Sequence, residues 1–245
     1  MISRVRLASV AVLLLLVSAS ISSAQQPDSA SSAPNGARQG RGAVGLQFGG
    51  SWLLAEKDYS DGAQPRFSVL GSYRYVISPH WQWQVSPYFT WAAYKTGREL
   101  PFQDANFPSD TTKDFVLTQL AGGNGQVQWV GGRGGYRWHL GAGPAIYRVV
   151  VQNHRKVLKD PVSRRLHAGT YLGATFEWGA ERFMKSLPNT SLEWTLAWQT
   201  AFAQRNDQFP SGFNGKPAAF EFRFGAHYYF DIRKKKPDAG PGSRR

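Results

Sequence analysis

The sequence predicts an all-β chain, an eight-stranded antiparallel up-and-down barrel that crosses a membrane. Three observations predict it: a hydrophobic period of two from Val44 to Phe230, connections that alternate between long and short, and a bulky apolar phase that carries all nine tryptophans. Composition agrees, since 42% of the 245 residues are hydrophobic, 14% are aromatic and 26 are Gly, a balance that favours strands over long helices. Zero Cys excludes a disulfide scaffold, a Cys-ligated metal and a Cys nucleophile. Beyond residue 30 no apolar run is long enough for a transmembrane helix of about 20 residues. The net charge of +13 first suggests nucleic acid, but the charges do not share one face and many fall in segments that need touch no ligand.

Residues 1–24 read as a secretory signal: Arg4 and Arg6 precede the apolar run Leu7 to Val17, and Ser22-Ser23-Ala24 supplies small residues for cleavage. Its removal takes the charge from +13 to +11 and makes this an exported protein, with no nucleic-acid partner expected. Residues 25–42, poor in large apolar side chains, read as a disordered periplasmic leader. The barrel is expected over 43–230, followed by a solvated basic tail, 231–245, with six basic residues against two acidic ones.

Within the barrel the first strand sets Val44, Leu46, Phe48, Trp52 and Leu54 against Gly45, Gln47, Gly49 and Ser51. The second sets Phe67, Val69, Tyr73 and Tyr75 against Arg66, Ser68, Ser72 and Arg74; the third sets Trp81, Trp83, Val85, Phe89 and Trp91 against Gln82, Gln84, Ser86, Tyr88 and Thr90. In the fourth, Phe115, Leu117, Ala121, Val127 and Trp129 oppose Thr118, Asn124, Gln126 and Gln128. The fifth has Tyr136, Trp138, Leu140, Ala142 and Ile146 against Arg137, His139, Gly141, Gly143 and Tyr147, and the sixth has Leu166 to Trp178 at even positions against His167, Tyr171, Thr175 and Glu177. The seventh sets Leu192, Trp194, Leu196, Trp198 and Phe202 against Glu193, Thr195 and Gln199; the eighth sets Phe220, Phe222, Phe224, Tyr228 and Phe230 against Glu221, Arg223, His227 and Tyr229.

Gaps after the odd-numbered strands are long, whereas Ile77-Ser78-Pro79-His80, Gly131 to Gly135 and Ser186 to Thr190 are short turns, so one rim carries turns and the other carries loops. Eight strands enclose little volume, so the phase of Gly, Ser, Thr and Gln fits inside and the tryptophan-bearing phase faces outward, which only lipid tolerates. Trp83, Trp129, Trp138, Trp178, Trp194 and Tyr228 fall near the short-turn rim, and Trp52, Trp91 and Phe115 near the other, as two aromatic girdles.

Over residues 43–230 the chain resembles the small outer-membrane β-barrels of the OmpA transmembrane-domain, OmpX or OmpW type. The segment Arg223-Phe224-Gly225-Ala226-His227-Tyr228-Tyr229-Phe230 is similar to their terminal insertion signal, in which Arg223, Gly225, Tyr228 and Phe230 fill the polar, glycine and aromatic places. The resemblance implies recognition by the barrel-assembly machinery, residence in a Gram-negative outer membrane and a porin-like architecture without a cofactor. It departs in that fifteen residues follow Phe230.

The inward phase carries Arg74, Arg137, Arg223, Glu177, Glu193 and Glu221 with His139 and His227 in register, and charges in so narrow a lumen must pair. Glu177 and Glu193 are expected close together near the short-turn end, with Arg137 on the adjacent strand as their counter-charge. No His-x-Ser pair of the lipid A deacylase kind occurs, and the five His have no metal-ligand spacing, so neither catalysis nor a metal is expected. The glycine clusters precede no helix and fail as phosphate loops. Arg148, Arg155, Lys156, Lys159, Arg164 and Arg165 against Asp160 make the third long connection strongly basic, an expected contact for lipopolysaccharide phosphates. The expected protein is a monomeric outer-membrane barrel with a structural or surface-interaction role. A lipid-modifying enzyme is favoured instead by a hydroxyl and His adjacent in space, and a narrow channel by a continuous water path.

Overall fold

The computed structural model describes residues 37–54, 63–64, 66–94, 116–153, 156–159, 164–202 and 218–232. The expected signal, most of the leader and loops, Phe115 and nearly all of the tail lie outside these residues. Eight long strands build the wall: β1 (Arg41–Leu54), β2 (Arg66–Ser78), β3 (Trp81–Tyr94), β4 (Val116–Gly131), β5 (Tyr136–Asn153), β6 (Ala168–Phe183), β7 (Thr190–Ala201) and β8 (Ala218–Asp231). Each pairs antiparallel with its sequence neighbours, and β1 pairs with β8 from Arg41↔Asp231 to Leu54↔Ala218, which closes the ring. Closure leaves no long strand with an open edge. Ala63–Gln64 adds a short pairing to β3, and Lys156–Val157 adds one to β5.

The short turns fall after β2, β4 and β6, as the turn residues predict. The first strand starts at Arg41, before the expected boundary, and residues 37–42 belong to the fold. Gly40 N–H donates to Val76 O, and Ala37, Ala43, Val76, Phe183 and Tyr229 pack into an apolar layer at the short-turn end. Arg41 Nε lies 2.9 Å from Asp231 Oδ1, and its guanidinium donates to Asn189 Oδ1 and Tyr229 O. Basic and apolar residues adjacent to Gly40 thus tie down what composition alone assigns to the leader.

Sidedness follows the alternation. Leu172 is 70% exposed and Ile146 55%, whereas Arg74, Glu193, Gln199 and Arg223 are 0% exposed. Water offers no such arrangement, because an apolar exterior around a charged interior inverts the usual distribution; hydrocarbon accepts it. At the short-turn rim Trp129 and Trp138 meet edge-on at 4.8 Å, and Trp178 and Trp194 at 4.7 Å. Trp52–Phe220 and Phe67–Trp91 form the corresponding ring contacts toward the long-loop rim.

Two prolines interrupt the wall. Between β2 and β3 the pairing lapses after Leu70↔Tyr88 and resumes at Tyr73↔Val85, beside Pro87; between β4 and β5 it lapses between Asn124↔Ala145 and Val127↔Ala142, beside Pro144. Proline has no N–H to give the ladder, so each lapse marks a wall stretch with fewer interstrand bonds.

Phe48 lies in the middle of β1 on the outward face, and Tyr136 starts β5 at the rim. Phe48→Arg is expected to cost about 2–4 kcal/mol of unfolding free energy in lipid vesicles and Tyr136→Arg about 0–1 kcal/mol, as depth dictates. Urea titration of both variants checks this, and equal costs would contradict the assigned sidedness.

Candidate functional site

The lumen is the candidate site, and β-alternation builds it. All eight network residues expected from the sequence, Arg74, Arg137, Arg223, Glu177, Glu193, Glu221, His139 and His227, are buried. Their partners differ in part from expectation. Arg74 donates to both oxygens of Glu193, Nη1–Oε2 at 2.5 Å and Nη2–Oε1 at 2.7 Å, and its Nε donates to Gln84 Oε1. Arg223 bridges two carboxylates, donating through Nη2 to Glu177 Oε1 and through Nη1 to Glu221 Oε2 at 2.9 Å; Tyr88 OH also donates to Glu221.

Arg137 is therefore not the counter-charge of Glu177 and Glu193. It pairs with Glu181 at 2.9 Å, because the two residues face each other directly across β5 and β6. Sequence reasoning missed Glu181 by stopping the sixth strand at Trp178, whereas the strand runs on to Phe183 with the same alternation. Glu181 also accepts from Ser191 Oγ and Tyr229 OH. Among the described residues the lumen network thus holds four carboxylates against three guanidinium groups, with two imidazoles placed against the most heavily engaged carboxylate, Glu193.

Glu193 gathers hydrogen-bond donors from β1 and β7 and nearby imidazoles from β5 and β8. Gln47 Nε2 from β1 and Thr195 Oγ1 from β7 donate to Oε1 at 2.8 and 3.0 Å. His139 Nε2 on β5 lies 3.5 Å from the same oxygen, and His227 Nδ1 on β8 lies 2.9 Å from Oε2. The far side of the His227 ring meets Ser72: Nε2 and Oγ are 2.6 Å apart. Glycines make room for both rings, since a Cβ on Gly45 would come within 2.1 Å of His227 Cδ2 and one on Gly179 within 2.6 Å of His139 Cε1. Ser72, 155 positions from His227, carries no local signal that would have paired them.

Toward the long-loop end the interior turns apolar. Leu70, Leu120, Val149 and Val151 are buried on the lumen phase, and Leu120 stands opposite Val149. Leu158, in the connection after β5, is buried as well: its N–H donates to Val151 O and its carbonyl accepts from His167 N–H. The described part of the basic connection therefore folds back along β5. His167 lies at this end, apart from the charged network.

Of the basic residues, Arg148 is exposed on the outer face of β5, opposite Ala121 and Thr170, so it belongs to the wall and not to the loop. Lys156 starts the short strand, Lys159 bridges to Leu166, and Arg164 and Arg165 are exposed, Arg164 with a left-handed φ of 57°. Arg155 lies outside the described residues. In the expected assembly signal Arg223 and Gly225 occupy the lumen phase, and Tyr228 and Phe230 the outward one. Among the described residues no three His, Asp or Glu side chains converge as a metal site.

No protein-family model and no curated protein matches the sequence. Solved structures do. Neisserial surface protein A is similar at 14% identity and a TM-score of 0.49, over 78% of this chain and 100% of that one. Ail of Yersinia pestis, in complex with the heparin analogue sucrose octasulfate, is similar at 11% identity and 0.46, over 78% and 99%. The outer-membrane protein OprG of Pseudomonas aeruginosa is similar at 10% and 0.45, over 80% and 99%. Likeness at this level settles neither ligand nor activity; the eight-stranded closed barrel stands on its own strand register.

Removing one member of a buried pair strands the other. Glu193→Ala is expected to cost about 3–5 kcal/mol, while Glu193→Leu combined with Arg74→Leu costs markedly less, because no uncompensated charge remains. Gly45→Ala is expected to cost about 1–3 kcal/mol through the crowded His227 ring. Urea unfolding in vesicles measures all three, and a double variant weaker than Glu193→Ala would contradict the pairing.

Proposed function

We propose that this chain is an outer-membrane barrel with a structural or surface-interaction role, whose basic third outer connection contacts lipopolysaccharide phosphates. The observation that carries the reading is the filled interior: charged side chains pair within the lumen, and an apolar layer closes the short-turn end. An interior so occupied places the proposed lipopolysaccharide contact on the outer surface. Along the connection after β5 and the adjacent wall, Arg148, Lys156, Arg164 and Arg165 stand exposed near the long-loop rim, where phosphate groups of an outer leaflet lie.

The proposed partners follow from the same geometry. The aromatic girdles and apolar band meet outer-membrane lipid, and the β8 segment bearing Arg223, Gly225, Tyr228 and Phe230 is what the barrel-assembly machinery would read. A monomer suffices, because β1–β8 closure leaves no barrel strand seeking a partner.

Replacing Arg148, Arg155, Lys156, Lys159, Arg164 and Arg165 with Gln is expected to lower the lipopolysaccharide that co-purifies with the barrel severalfold, read as bound phosphate per chain. Unchanged phosphate would remove the proposed contact. In planar bilayers the wild-type barrel is expected to give no conductance steps above background, and regular steps would favour the channel reading.

A further inference from the structure

The contact between Ser72 and His227 joins three residues in the order of an acyl-transfer relay. His227 Nδ1 lies 2.9 Å from Glu193 Oε2, an ion-pair distance not aligned as a hydrogen bond, and because an ionised carboxylate only accepts, a proton on Nδ1 is the tautomer this neighbour favours. Nε2 is then the accepting nitrogen, and it faces Ser72 Oγ at 2.6 Å. Hydroxyl, base and orienting carboxylate come from β2, β8 and β7, so their relation is fixed by the closed wall and not by a loop. Arg74, Gln47 and Thr195 hold the carboxylate in place, with Arg74 Nη1 sharing Oε2 with the imidazole.

Two features single out the serine. Ser72 is 8% exposed while His227 is 1% and Glu193 0%, so the serine is the least enclosed residue of the three. It also lies in the stretch where pairing between β2 and β3 lapses beside Pro87, so the wall holding it has fewer interstrand bonds to break when a small molecule enters.

We propose that Ser72, His227 and Glu193 form a nucleophile, base and positioning carboxylate that take the acyl group of a small carboxylic ester onto Ser72. Ser72 Oγ bonds to the carbonyl carbon as its proton passes to His227 Nε2. The ester C–O bond breaks, and the departing alcohol oxygen takes that proton. Water repeats the sequence on the acyl-serine: its proton goes to Nε2, its oxygen bonds to the carbonyl carbon, and Ser72 leaves with the proton restored, which releases the carboxylic acid. Glu193 acts through His227, holding the tautomer and facing the imidazolium that forms. The expectation of no catalysis rested on His-x-Ser neighbours along one strand; here the barrel itself brings the pair together.

The test uses the folded full-length barrel in detergent micelles with diisopropyl fluorophosphate, whose phosphorus bonds to an activated serine with loss of fluoride. One adduct per chain is expected, mapped to Ser72 by peptide mass spectrometry, absent from Ser72→Ala and from urea-unfolded protein. His227→Gln, with strand content checked by circular dichroism, is expected to label about 10²-fold more slowly or less, the scale of a lost general base. Turnover of p-nitrophenyl acetate is expected to fall in the same variants. A folded wild-type barrel that stays unlabelled, adducts spread over other residues, or His227→Gln labelling at the wild-type rate would each overturn the proposal. None of these readouts depends on lipopolysaccharide, so the proposed surface contact stands or falls separately.

Discussion

The constraint on which the structure depends is that an eight-stranded wall encloses too little space for its charges to keep their water. Once the apolar phase is committed to lipid, the charged side chains on the other phase must find their partners within the lumen. Arg74, Arg137 and Arg223 each reach a carboxylate on a different strand, and Gln47, Gln82, Gln84 and Gln128 carry hydrogen bonds between neighbours. Those of Arg74 with Glu193 and of Arg223 with Glu177 join non-adjacent strands, so they tie separate parts of the wall together as well as satisfying charge. The wall fixes which side chains meet, and the meetings fix the wall.

The closed ladder was legible in the sequence because its signal is local. A period of two shows in any run such as Trp81 to Trp91, and turn residues at Pro79-His80 or Gly131 to Gly135 mark where it reverses. Sidedness needed only a comparison of bulk between the two phases. What the sequence concealed was partnership. Arg137 and Glu181 face each other only once the β5–β6 register is known, and Ser72 meets His227 only because the first two strands close against the last. Leu158 and residues 37–42 were concealed for another reason: a short segment dominated by polar or small residues reads as loop, and a single backbone hydrogen bond such as Gly40 N–H to Val76 O can still seat it.

The interior is also graded along the axis. Nearest the short turns lies the apolar layer of Ala37, Ala43, Val76, Phe183 and Tyr229; the ionic network follows, and beyond Tyr88 and Tyr147 come Leu120, Val149, Val151 and Leu158. Tyr88 and Tyr147 meet edge-on at 5.7 Å, and each gives its hydroxyl to a neighbouring polar group, Glu221 or Gln199. Such rings suit a boundary, since one side is apolar and the hydroxyl end is not. Low polarity on both flanks strengthens the electrostatic interactions between them, and raises the cost of leaving any member unpaired.

Glu193 is where stability and reactivity draw on one group. A carboxylate buried beside a single imidazole would be poorly compensated and would lose its charge or its place. With Arg74 bonded to both oxygens and Gln47 and Thr195 donating to one of them, the charge is held, and Oε2 still faces His227. His139 approaches the other oxygen, and among the described residues no hydroxyl bonds to its ring, so the two imidazoles on this carboxylate are not equivalent: one ends in the network, and the other leads on to Ser72. A scaffold that needs Glu193 ionised for its own integrity thereby supplies what a serine–histidine pair requires at its back, an oriented negative charge that does not have to be created when a reactant arrives.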